Sequence, residues 1–263
     1  MKIGLTKLNS VLYKNKSSIA DKQSVDTPLI NLDVSDQAIQ NYKEADPYPH
    51  VFIENFVNDT NMLDQIIEEY KNYGCWGYDP KSTNYQVKKF FSPWCDANIN
   101  DIPPTTKRLM NYFNSRPVLD KLEKLTGISG LIADPHFVGG GMHRIDRGGR
   151  LSVHSDFNKH PNNPWYRRIN LLLYLNKNWQ DSWGGNLQLW NKDITAAVKS
   201  SSPLYNRAVI FNTTPTAYHG HPHELNCPNG VSRNSIAIYY FSMDRPDHEK
   251  DNTTSATWKN IPQ

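Results

Sequence analysis

Apolar residues recur at two different periods along this chain, and the period changes near residue 128. In the first half Leu63, Ile66, Ile67 and Tyr70 stand at helical spacing behind Asp59-Thr60, a pair suited to cap a helix N-terminus. Leu109, Met110 and Phe113 form a second helical face. Leu119, Leu122 and Leu125 form a third after the break at Pro117, with Gly127 placed as its C-cap. Beyond residue 128 no helix-length pattern remains. Short apolar runs at 128–143, 148–157, 168–175, 185–190, 208–212 and 235–241 are separated by Gly, Pro, Asn and Asp. Such a series predicts antiparallel strands closed into a sandwich or jelly roll, with the helices of the first half bracing its outside. An earlier strand is expected at 47–53, where proline punctuation gives way to Val51, Phe52 and Ile53. The fold class expected is mainly β with flanking helices (α+β).

The remaining stretches lack a clear period. Residues 1–46 read as an irregular leader, 74–104 as a long loop and 246–263 as a polar tail. The expected domain is therefore 47–245, with helical support over 59–127 and a jelly-roll core over 128–245. The 263 residues suffice to bury a sizeable core. A net charge of +3 gives no case for nucleic acid or a membrane surface as partner. Cys75, Cys95 and Cys227 form neither a zinc pattern nor a disulfide framework. No apolar run reaches membrane-span length, and the first residues carry no secretory pattern, so a cytoplasmic location is expected.

Candidate chemistry enters at His154-x-Asp156, the end of the alternating run that opens at Gly148-Gly149. Residues two apart on a strand share a face, so an imidazole and a carboxylate emerge side by side, spaced for one metal ion. Nine histidines and 26 acidic residues yield roughly one such triplet by chance, so the pair needs support from elsewhere. A third ligand is available from His219, His221 or His223, among which spacing does not choose. Two imidazoles and a carboxylate with open positions make the facial triad of non-haem Fe(II) oxygenases, and zinc takes the same ligands. Arg233 and Ser235 open the last strand on one face. A guanidinium at the mouth of an apolar barrel needs an anion, which a dicarboxylate cosubstrate supplies and a structural zinc site does not.

In order, His154-Ser155-Asp156, Tyr174-Leu175-Asn176, Trp183-Gly184-Gly185, Tyr218-His219-Gly220-His221 and Arg233-Asn234-Ser235 closely resemble the Fe(II)/2-oxoglutarate-dependent oxygenases, in their prolyl-4-hydroxylase-like branch. The resemblance implies a double-stranded β-helix fold with His154, Asp156 and His219 as metal ligands. It implies Arg233, helped by Ser235 and the Tyr174 hydroxyl, as the anchor for the distal carboxylate of 2-oxoglutarate, with His143 and Asn170 near the cosubstrate. Fe(II), 2-oxoglutarate and O2 would then be required, with ascorbate supportive. The reaction implied is hydroxylation of an aliphatic C–H, coupled to decarboxylation of 2-oxoglutarate to succinate and CO2. The substrate expected is a peptidyl proline or a small molecule such as a free amino acid or sugar. The alternative is a jelly-roll module that holds metal and ligand without turnover. A zinc hydrolase leaves Arg233 and Ser235 without a purpose.

Other features have plainer readings. Arg168 is as suited to structure as to substrate, and Gly184-Gly185 reads as a turn or bulge. His221 and His223 read as loop hydrogen-bonders, and Lys88, Lys89 and Arg150 as ordinary solvated charges. The loops 74–104 and 157–166 are expected to face the substrate.

Overall fold

Helix ends fall where capping residues stand. A computed structural model describes residues 28–74, 76–78, 86–92, 100–250 and 252–259 of the chain. Ser35 caps α1 (Asp36–Lys43), and the Asp59 carboxylate accepts the Met62 N–H at 2.9 Å to cap α2 (Thr60–Asn72). Helix α3 (Pro104–Phe113) begins behind Pro103, which has no side chain to cap it. Its first amides are instead met from α2, where Glu69 accepts the N–H of Thr105 at 2.8 Å and of Thr106 at 2.7 Å. Helix α4 (Arg116–Thr126) stops at Gly127, which takes the left-handed conformation with φ 73°.

The strands are β1 (His50–Ile53), β2 (Gly77–Tyr78), β3 (Gln86–Ser92), β4 (Ile132–Ala133), β5 (Gly141–Ser155), β6 (Tyr166–Tyr174), β7 (Leu187–Trp190), β8 (Ala197–Ser201), β9 (Ala208–Asn212), β10 (His219–His221), β11 (Ser232–Ser242) and β12 (Thr257–Trp258). They pair antiparallel in the order β1-β9-β6-β11-β5-β10-β7-β8, with β3 and β12 along β5, β2 beside β3 and β4 beside β11. The 15-residue β5 serves both halves of the sheet. Its first part pairs with β11 and its last part with β10. Between them the chain turns at Gly148, φ 75°, and Gly149, where a Cβ would lie 2.8 Å from the carbonyl oxygens of both Asp146 and Val87. The path thereby curls into a nearly closed, barrel-like jelly roll with four helices, as the sequence pattern predicts.

Burial on two faces explains why β6 reads as an unbroken apolar run. Ile169, Leu171 and Leu173 pack outward with Leu63, Ile66, Leu109, Phe113 and Leu122 of the helices. Leu172 and Tyr174 point the other way and join Leu187, Leu189, Val209 and Phe211 inside the barrel.

Three expectations are corrected. The stretch 1–46 is not irregular where it is described: α1 lies in it, and Ile30, Leu32 and Tyr42 are buried in the same core as the helices. The expected loop 74–104 carries β2 and β3, and β3 lines β5 along much of its length. The tail carries β12, which also pairs with β5. For β3 and β12 few apolar residues alternate, because backbone pairing to an existing edge needs no strong side-chain period, while α1 packs through only a few buried residues. Cys75 and Cys95 lie outside the described residues, while Cys227 is buried and unbridged. No helix among the described residues is long and apolar enough to cross a membrane.

Candidate metal centre

The register of β5 and β10 sets His154 directly opposite His219, and their ring centroids lie 4.5 Å apart. Close approach of the two backbones makes this pairing possible. A Cβ at Gly220 would fall 2.7 Å from the Ser152 carbonyl oxygen, so the residue after His219 is one with no side chain. Asp156 follows β5 by one residue. Its Oδ1 lies 3.6 Å from His154 Nε2 and its Oδ2 lies 3.5 Å from His219 Nε2. One donor atom from each of the three buried residues falls within 4.8 Å of the others, a spacing at which a single cation can be shared.

The protonation of the trio fits that use. His154 Nδ1 donates to the Ser152 carbonyl at 2.9 Å and His219 Nδ1 to the Ala217 carbonyl at 3.0 Å, which leaves the Nε2 lone pairs facing Asp156. Burial lowers the His219 pKa to about 4 against the opposing pull of Asp156, so the ring is neutral near pH 7. For Asp156 burial alone would push the carboxyl up. The Arg167 guanidinium, then the two imidazoles, overcome this and hold it well below the usual carboxylate range. Two imidazoles, that of His219 neutral, and an ionised carboxylate are a donor set for a divalent transition metal.

Arg167 went unread in the sequence. It is 1 % exposed, with Nη2 3.0 Å from Asp156 Oδ2 and Nε donating to Asn170 Oδ1 at 2.8 Å. Asn170 in turn donates to Asp156 Oδ2 at 2.7 Å, so its contact in the structure is with the Asp156 carboxylate. The guanidinium lies 3.3 Å from the Tyr239 ring centroid and 4.5 Å from that of Phe157. Strand parity argues for Arg168 in this position, since it stands two and six residues before Asn170 and Tyr174. Consecutive β11 residues Tyr240 and Phe241 pair with Ile169 and Arg167, so Arg168 is the extra residue of a bulge on β6 and the two arginines exchange faces. Arg168 bonds instead to Ser242 and the Asp244 carbonyl outside the barrel.

The expected anchor residues gather one level further along the sheet. Ser235 on β11 lies opposite His143 on β5 and Tyr174 on β6, a cross-strand row of three. Two residues along β11 is Arg233, 5 % exposed, whose Nε donates to the Gly185 carbonyl at 2.8 Å and whose Nη2 donates to the Tyr174 hydroxyl at 3.2 Å. Burial raises the Tyr174 pKa, so the phenol stays protonated. Gly185, read as a turn, is also a contact. It has φ 76°, and a Cβ there would come within 3.1 Å of Arg233 Cδ. Among the described residues no carboxylate pairs with Arg233, although a buried guanidinium demands a counter-charge.

Several candidates lie elsewhere. His221 is buried but stands opposite Leu151 beyond a register shift, and His223 is exposed. Arg150 lies 3.7 Å from Glu224. The side chains of Lys88 and Lys89 lie outside the description.

Residues 140–241 match the family described as the 2OG-Fe(II) oxygenase superfamily. A curated relative, Prolyl 3-hydroxylase OGFOD1 of Xenopus laevis, is 25% identical over 214 residues, which cover 78% of this chain and 37% of that protein. The chain thus spans little more than a third of the relative's length. Among solved structures it is similar to a Trichoplax adhaerens prolyl hydroxylase bound to a fragment of hypoxia inducible factor, with TM-score 0.54, 16% identity and coverage of 78% and 87%. A Pseudomonas putida prolyl-4-hydroxylase gives TM-score 0.52 and 11% identity, with coverage of 80% and 98%. These likenesses show the double-stranded β-helix fold. The family match runs from Gly140 to Phe241, through all three residues of the trio and Arg233, so this part of the chain is similar to the 2OG-Fe(II) oxygenase superfamily.

Proposed function

We propose that this protein is an Fe(II)- and 2-oxoglutarate-dependent hydroxylase, with His154, Asp156 and His219 as the metal ligands. The observation that carries the reading is the pairing of two features in one barrel: an imidazole and carboxylate trio, and a buried guanidinium that has no carboxylate partner among the described residues. When bound, Fe(II) with 2-oxoglutarate and O2 supplies oxidative decarboxylation to succinate and CO2, coupled to hydroxylation of a C–H bond.

The chain's own groups do the rest. His154 and His219 present Nε2 because their Nδ1 protons are committed to backbone carbonyls. Arg167 and Asn170 keep Asp156 ionised and aimed. Arg233, with the protonated Tyr174, offers donors to a carboxylate at the far end of a short diacid, and the apolar walls Leu187, Leu189, Val209 and Phe211 exclude water from the space between. Ser235 and His143 stand in the row that such a ligand would pass.

The relative named as a prolyl 3-hydroxylase supports a peptidyl proline as substrate, and the same reading includes O2 as co-reactant, ascorbate as reductant and a cytoplasmic setting. Turnover of a free amino acid or sugar is tested alongside. The experiment scores succinate release from 2-oxoglutarate under air, with prolyl peptides, free amino acids and sugars as candidate substrates, and measures anaerobic 2-oxoglutarate binding by calorimetry with Mn(II) in place of iron. Binding with substrate-stimulated succinate supports the hydroxylase. Absence of 2-oxoglutarate binding to the Mn(II) form overturns it. Binding without turnover returns the reading to a ligand-holding module.

A further inference from the structure

The chain crosses the metal centre a third time, after residue 251. Thr257 and Trp258 stand opposite Ser155 and His154 on β5, and the Lys259 N–H donates to the Val153 carbonyl at 2.9 Å. The Thr253 carbonyl accepts from the amides of both Asn158 and Lys159 at 3.0 Å. These bonds grip the chain on both sides of Asp156. Strands β10 and β12 pair with His154 from opposite edges of β5, and residues opposed in an antiparallel ladder share a face. The imidazole of His154 is therefore flanked by His219 on one side and the half-buried Trp258 on the other. The Trp258 ring centroid is 4.7 Å away, tilted by 37°. Lys259 Nζ lies 5.5 Å from the ring of Tyr218, the residue before His219, so the same strap reaches the chain at both histidines.

A hydrogen bond from Nδ1 to a carbonyl two residues back sets the tautomer of His154 but leaves its ring able to rock about that bond. Packing on both flanks removes this freedom. We propose that Trp258 is a positioning residue of the metal site, and that the strap of residues 252–259 holds the His154 imidazole in its ligating orientation. The inference rests on the reading of His154, Asp156 and His219 as metal ligands.

The test is Mn(II) affinity of the full chain, followed by electron paramagnetic resonance of free Mn(II), for wild type, Trp258→Ala, Trp258→Phe and His219→Ala. Groups that orient a metal ligand typically contribute tenfold or more to affinity, so Trp258→Ala should bind Mn(II) about tenfold more weakly and Trp258→Phe should recover most of the loss. His219→Ala should not bind. Wild type that binds no Mn(II) sinks the metal site itself. Wild type and Trp258→Ala of equal affinity sink only the role of the strap. Should Trp258→Ala fold poorly, Trp258→Phe carries a second readout. Co(II) should quench part of the wild-type indole emission, and that part should be missing from Trp258→Phe. Equal quenching in both overturns the placement of Trp258 beside the metal.

Discussion

Arg233 takes a full positive charge into the barrel with a backbone carbonyl and a phenol as neighbours. A ligand carboxylate that completes this arrangement gains charge-assisted hydrogen bonds, worth on the order of 2–3 kcal/mol for the pair. Arg233→Ala should therefore weaken 2-oxoglutarate binding to the Mn(II) form roughly 30- to 150-fold, read by calorimetry, while Mn(II) affinity without cosubstrate stays near wild type. A loss of both affinities would mean that Arg233 supports the barrel rather than the ligand. At this scale the sequence was legible where side-chain period and residue chemistry agree. His154 and Asp156 declare themselves by the alternation of β5, and Arg233 by a charge set into an apolar strand. Arg167 stays hidden because a bulge at the adjacent Arg168 reverses its face, and strict strand alternation does not anticipate that bulge. Trp258 stays hidden for a related reason, since its partner lies about a hundred residues away on β5.

Helix α3 depends on a group from outside itself. Glu69 on α2 accepts three hydrogen bonds at its N-terminus, from two amides and the Thr106 hydroxyl at 2.7 Å. Partial burial pushes the Glu69 carboxyl up, yet the bonds from Thr106 and Thr105 outweigh it and the net pKa is lowered. A carboxyl whose pKa falls on folding stabilises the fold above its unfolded value, and that contribution is lost as pH drops through the folded value. Glu69→Gln should cost about 1 kcal/mol at pH 7 in urea unfolding, and the gap to wild type should shrink as pH falls below 4.5. A gap that stays constant or widens in acid would assign the loss to packing instead. Helices α2 to α4, with a strong amphipathic period, and the apolar runs of β6 and β11 were readable, although those two strands begin two to three residues before the runs. Those that attach to a pre-existing edge, β3 and β12, or pack through a few residues, α1, were not. Their position follows from backbone hydrogen bonds offered by β5, which leave little trace in the order of polar and apolar residues.

For the whole molecule, the proposed metal binding would be linked to folding, because the trio comes together only in the closed barrel. Mn(II) at a hundred times its dissociation constant should stabilise the native state by about 2.7 kcal/mol. For a chain of this size that raises the unfolding midpoint by roughly 5–10 °C, read by scanning calorimetry. Asp156→Ala should abolish the rise. A rise that persists in this variant would place the metal elsewhere.

The double service of β5 has a further consequence, in time rather than in energy. Asp156 and His219 are about sixty residues apart in the chain, and they meet only when the second half of β5, past the Gly148-Gly149 turn, finds β10. Local helices form early, and pairings between distant strands must first overcome the entropy of closing the loop between them. Metal capture during refolding is thus a clock for barrel closure. In stopped flow, helical circular dichroism should recover before Mn(II) disappears from solution, and the later event should keep its rate when Mn(II) is doubled. The strand that carries His154 also times the arrival of His219.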